Sequence, residues 1–268
     1  AVIVGSAVVL WAMMYFMFWD VFSWLDKFPA IKLILLDYLF SFFFLALLVM
    51  MTISNAIIAY AALFRSRETS YLMVLPMRPS CIYVYKSLES LLFSSWGLLT
   101  MVVPMIVAYG TTTRVPLVFY PISVLFSLVF VLIPTGFGAI IALLLTAYFP
   151  KRRRNFLIAF GVLAVAGIGW FGHRVLQQAQ GSRISESMVK GVLDRFQFCQ
   201  HWLLPSRWVS EGILASARGD LREAGFMFLV LLSNVLFVGM IAGVLGARKF
   251  TRTWTTSQSK GGQRNYNP

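Results

Sequence analysis

Residues 63–86 read LFRSRETSYLMVLPMRPSCIYVYK. The stretch is short, charged and turn-rich. It joins two apolar segments, each long enough to cross a bilayer, which takes about 20 residues. It carries Arg65, Arg67, Arg78 and Lys86 against one acid, Glu68. Moving such a segment through hydrocarbon is costly, and the anionic inner leaflet favours it on the cytoplasmic side. Residues 63–86 are therefore expected to form a cytoplasmic loop that orients an apolar helical bundle.

Composition agrees with a bundle in lipid. Of 268 residues, 59% are hydrophobic and only 12% charged, with a mean hydropathy of +0.78. A soluble domain of this length needs more polar cover. The net charge is +13, from 23 Lys and Arg and 10 Asp and Glu. On a soluble protein that balance would point to nucleic acid. Here basic loops beside an anionic leaflet account for it, and no nucleic-acid partner is expected. Cys81 and Cys199 are assigned to opposite sides of the membrane, so a disulfide between them is not expected. Neither has metal-ligand spacing. The sequence opens at Ala1 inside an apolar run, with no charged leader region or small-residue cleavage site, and reads as a piece of a longer chain.

Six spans are expected, at about 2–19, 33–63, 87–109, 117–149, 156–176 and 224–245, making an all-α integral membrane protein. Between the first two lies a loop, 20–32, whose amphipathic part, 21–28, suits the membrane surface. Ser54 and Asn55 lie inside the second span, where they suit hydrogen bonds to neighbouring helices. Glu89 is expected in the first turn of the third span, favoured there by the helix dipole and by nearby Lys86. Pro121 and Pro134 interrupt the over-long fourth span, and Pro104 stands late in the third. Gly161, Gly167, Gly169 and Gly172 would allow close helix contact in the fifth. Residues 177–223 form an external segment. Within it Ile184, Met188, Val192, Leu193 and Phe196 recur at the spacing of an amphipathic helix. LLPSRW, 203–208, supplies a turn and an interfacial Trp208, and 209–217 suit a short helix ended by Gly219. The tail from 248 to 268 is basic, and its GGQRNYNP end reads as disordered.

Charge sets the orientation. The 63–86 loop, the run PKRRRN at 150–155 and the tail hold 13 of the 23 Lys and Arg. Placing these three segments inside satisfies the positive-inside bias and puts the C-terminus in the cytoplasm.

Chemistry is hard to find. There is no HExxH, no nucleophile elbow and no GxxxxGK[ST]. His173 and His201 lack a partner set, and Cys199 with His201 makes too few ligands for a metal. Asp37, Glu89 and Glu211 are candidates for a proton pathway, but all three fall near helix ends, where solvated structural roles serve as well. The broken fourth span could equally line a binding site or simply pack. The residues alone leave several readings open: a transporter of another class, a lipid-modifying membrane enzyme, and a scaffold or assembly protein.

RSRETSYLMVLPMRPSCIYVYKSLESLL, 65–92, resembles the cytoplasmic loop after the second span in membrane subunits of ABC-2 type transporters, particularly bacterial exporter permeases. The similar positions are Glu68, Tyr71, Leu72, Leu75, Pro76, Arg78, Ile82 and Lys86. LPSRWVSEG, 204–212, resembles a pattern these permeases carry outside before their last span. The amphipathic helix that usually precedes the first span is absent or cut off, and the external region is longer than in many relatives, so a piece of a larger permease also fits. The resemblance implies a multi-pass permease of the bacterial inner membrane, an exporter rather than an enzyme. ATP and Mg would sit on a separate ATP-binding subunit, with no cofactor in this chain. The other partners implied are membrane lipids and a second permease copy or a paralogue. The loop would be a coupling helix seated on the ATPase: Leu72, Met73 and Leu75 would give apolar contact, and Arg65, Arg67, Glu68 and Arg78 the charged rim.

Overall fold

The computed structural model describes residues 2–27, 29–148, 162, 166–167, 169–170 and 201–262. The described elements are all helices: α1 (Val2–Leu25), α2 (Pro29–Phe64), α3 (Arg67–Leu72), α4 (Pro79–Thr113), α5 (Phe119–Phe130), α6 (Leu132–Tyr148), α7 (Pro205–Arg218) and α8 (Leu221–Gly262). Five stretches among the described residues are long and apolar enough to cross a membrane: Ala7–Leu25, Lys32–Phe64, Pro79–Thr113, Phe119–Tyr148 and Leu221–Thr256. The protein is thus an all-α, multi-span membrane bundle. Most of the expected span at 156–176, the basic run at 150–155, the amphipathic stretch at 184–196, His173, Cys199 and residues 263–268 lie outside the described residues.

Several expected boundaries move. The first helix does not stop at residue 19 but continues to Leu25. Phe22 and Leu25, expected on the membrane surface, are buried, because the extra turn and a half carries them onto the packed face of α1. The third span begins at Pro79, eight residues before the expected start. Pro79 suits the first helical turn, where a missing N–H costs nothing, and the carbonyl of Arg78 accepts from the amides of Cys81 and Ile82. Glu89 therefore sits well inside α4 and not in its first turn. The last helix runs through the basic tail to Gly262. At 1.5 Å per residue its 42 residues reach about 63 Å, roughly twice the hydrocarbon thickness.

The fourth span is broken between α5 and α6, at Val131. Pro134 has no N–H to give the carbonyl four residues back, and its ring crowds that carbonyl. Pro104 leaves α4 helical throughout. Ser127 and Thr146 return their hydroxyls to the carbonyls of Ser123 and Ala142, at 2.7 and 2.8 Å, which satisfies them inside an apolar span.

The chain divides into two compact units. The first contains residues 1–48, 96–130 and 168–233. Its centre is a run of edge-to-face rings: Phe40 lies 5.2 Å from Tyr109, Phe22 lies 5.4 Å from Tyr109, and Phe44 lies 5.5 Å from Phe130. Lipid tails are as apolar as these side chains, so hydrophobic transfer contributes little between spans. Fit and ring geometry do more. Nine of the fourteen residues of α7 are buried in this unit. The Ser41 and Ser210 hydroxyls are hydrogen-bonded at 2.8 Å, and Gly212 lies against the Phe126 ring. The helix begins at Pro205 and ends at Gly219, whose φ of 83° is left-handed and suits glycine. Trp208, expected at the membrane interface, is buried at 4% exposure; starting the helix at Pro205 turns its indole onto the packed face.

The second unit contains residues 49–95, 131–167 and 234–268. Its core joins Ala59, Leu63, Phe64, Ile82, Tyr83 and Phe250 with Ala139, Ala142 and Leu143. Small residues bring backbones close. A Cβ on Gly138 would stand 2.6 Å from the Cβ of Asn55 and 2.8 Å from the backbone N of Ala56. Asn55 is fully buried at this approach, yet neither amide atom reaches a hydrogen-bond partner among the described residues, where it packs rather than bridging helices. Ser54 is exposed. Because the obstacle at Gly138 is backbone, Gly138→Val is expected to destabilise the bundle by about 1–3 kcal/mol. Gly225 has open space around it, so Gly225→Ala should be neutral or slightly stabilising. Unfolding temperatures in detergent test this contrast; equal values for the two variants would refute the close approach.

Candidate functional site

The second unit also carries the chain's most uneven charge. Its segments hold thirteen of the 23 Lys and Arg but only two of the ten Asp and Glu, Glu68 and Glu89. Both carboxylates go to one cation. Lys86 Nζ donates to Glu68 Oε2 and to Glu89 Oε2, each at 2.6 Å. The Lys86 side chain is 1% exposed, against 72% for Glu68 and 32% for Glu89. The Tyr85 ring lies 5.4 Å from the ammonium. A cation with so little solvent is tolerable only when paired and hydrogen-bonded. The ion pair accordingly pins α3, which carries Glu68, onto α4.

A second tie comes from α2. Thr69 is fully buried, and its hydroxyl donates to the carbonyl of Ala62 at 2.7 Å. That carbonyl is in the last turn of α2, where carbonyls lack helical donors. Beyond α3 the chain tightens into successive turns, with the amides of Met73, Val74, Leu75 and Met77 donating to the carbonyls of Thr69, Tyr71, Leu72 and Leu75. Pro76, with no amide hydrogen, interrupts the winding. The hydrogen bond from Lys86 holds the Glu68 carboxyl below the usual carboxylate range.

The expected contact residues fall into two groups. Leu72 and Met73 are half-buried and pack on the unit's own core. Arg65, Arg67, Glu68, Tyr71, Leu75, Pro76 and Arg78 are exposed. Lys86, expected among them, is interior and acts as an anchor. Val74, 85% exposed, and Met77, 48% exposed, extend the apolar surface; neither stood out in the sequence. The Leu-rich pattern of residues 72–77 could have pointed to them, since a six-residue helix followed by turns cannot hide every apolar side chain. Beside this ledge is a cleft of about 610 Å³ lined by Glu68, Tyr71, Leu72, Met77, Ile82 and Tyr85.

Of the remaining candidates, Asp37 and Glu211 lie within electrostatic range of each other and of Arg207. Glu211 pairs with Arg207, in the next turn of α7, at 3.4 Å. His201 is exposed and accepts the Leu203 amide at 3.4 Å. Among the described residues no group of three His, Cys, Asp or Glu could hold a metal ion. The sequence has no phosphate-binding GxxxxGK[ST] loop. What the loop offers is a braced, outward-facing apolar ledge with a cationic rim, which suits protein docking rather than bond chemistry.

The chain matches the family ABC_tran_2, described as "Putative ATP-binding cassette", over residues 1–267. No curated protein and no solved structure matches the chain.

Proposed function

This chain belongs to the ABC_tran_2 family and is a membrane permease subunit of the ABC-2 transporter class, and from there we propose that α3 and the turns after it couple the bundle to an ATP-hydrolysing subunit. The observation that carries this reading is the bracing of an exposed surface. Tyr71, Val74, Leu75 and Met77 face outward, while Lys86 and Thr69 tie the same segment to α4 and α2. A ledge tied to two helices through the neighbouring residues Glu68 and Thr69 transmits a push to both. ATP and Mg belong to the partner, whose closure would tilt α2 and α4 and drive the bundle between two packings. A second permease copy or a paralogue completes the path, and export is the direction the family resemblance favours.

The reading needs the ledge to be cytoplasmic, with six spans in all, residues 156–176 included, and the C-terminus inside. The charge balance of the second unit supports that orientation. Cys81 is an exposed free thiol at the start of α4 and reports on it directly. In a Cys199→Ser background, a membrane-impermeant maleimide is expected to label Cys81 in everted vesicles and not in intact cells. Labelling from outside would overturn the assignment.

A further inference from the structure

We propose that the cleft between the end of α6 and the basic turn of α8 binds the phosphate of an anionic phospholipid headgroup. The cleft measures about 410 Å³ and is lined by Tyr148 from α6 and by Arg248, Lys249, Arg252, Thr253 and Thr256 from α8. That volume falls among pockets that hold small ligands, about 300–1,000 Å³.

Its chemistry is one-sided. Among the described residues three cations line it and no acid does. The unit's only carboxylates, Glu68 and Glu89, are both engaged by Lys86. Among the unit's described residues no carboxylate is left to balance these cations. Arg248 and Arg252 are four residues apart and share a helix face. Lys249 Nζ donates to the Tyr148 hydroxyl oxygen at 2.9 Å and lies 5.0 Å from its ring. The phenol therefore keeps its proton to donate, and the ammonium keeps two donors. Two guanidinium groups, an ammonium and a phenol hydrogen form a donor set suited to phosphate oxygens.

Position selects the carrier of that phosphate. Tyr148 closes one apolar span, and residues 248–256 close another. Apolar span ends with tyrosine and tryptophan mark the headgroup level, and Trp254 is half-buried in the same turn. A lipid phosphate is present there at high local concentration, whereas free phosphate is dilute.

The test uses the full chain with any subunits that copurify, titrated in mixed micelles and read by native mass spectrometry. The probes are phosphatidylglycerol, phosphatidylcholine and inorganic phosphate. Phosphatidylglycerol is expected to be retained about tenfold better than phosphatidylcholine. Arg248→Gln with Arg252→Gln should abolish that preference, and Arg248→Lys with Arg252→Lys should keep most of it. Tyr148→Phe, which leaves charge and packing intact, should weaken retention about threefold. Arg114→Gln with Arg222→Gln, exposed and in the other unit, should change nothing. Equal retention of the two lipids, or a preference that survives the double Gln variant, would overturn the site. Displacement of the lipid by low-millimolar inorganic phosphate would overturn the lipid as its ligand.

Discussion

Leu75→Asp is expected to leave insertion and thermal unfolding unchanged while cutting recovery of the ATP-hydrolysing partner by at least about tenfold. The folded chain tolerates the change because Leu75 is already 37% exposed, and surface substitutions away from packed features usually cost little. The docked complex does not tolerate it. An apolar anchor is lost, and a carboxylate is carried into a desolvated contact without a partner. Affinity capture of the chain, with the partner quantified against captured permease, measures the effect. Leu72→Asp makes the contrast. Leu72 packs on the chain's own core, so that variant should lose folded protein as well as partner. Undiminished recovery and transport with Leu75→Asp would remove the ledge from the coupling mechanism.

The second large effect lies at Lys86. Glu68→Gln together with Glu89→Gln strands an ammonium that has almost no solvent, and leaving such a group unpaired costs about 3 kcal/mol. Lys86→Met is expected to cost much less, because the freed carboxylates are partly exposed and can hydrate. The double carboxylate variant should therefore unfold at a clearly lower temperature than Lys86→Met. The reverse order would mean that the ammonium reaches water and that α3 is not pinned by it. Acid should act in the same direction. The Glu68 carboxyl is held below its ordinary value of 4.5, so its stabilisation is complete above that pH. It is lost as pH falls through the lowered value. A thermal-stability profile of the wild type should fall in that range, and the fall should shrink in Glu68→Gln.

Much of this was legible in order along the chain. Apolar runs of spanning length announced a membrane bundle, and basic residues pile up in three short segments. Pro134 announced the break at Val131, and Gly219 the end of α7, since both act through their own backbone. The start of the third span was misread because Lys86 looks like a loop residue in sequence. It belongs inside a helix only because Glu68, eighteen positions earlier, supplies its counter-charge.

Amino-acid order by itself determined the all-α membrane class, the charge asymmetry, and the loop on which a coupling role rests. Those properties are local: hydrocarbon rejects charge, and proline and glycine punctuate helices, wherever the rest of the chain lies. Tertiary structure alone decided which loop residues are free and which are anchored, that Trp208 is interior, and that Tyr148 and Lys249 meet across 101 positions to form a cationic cleft. These depend on distant segments reaching one place, where burial and pairing change what each charge costs.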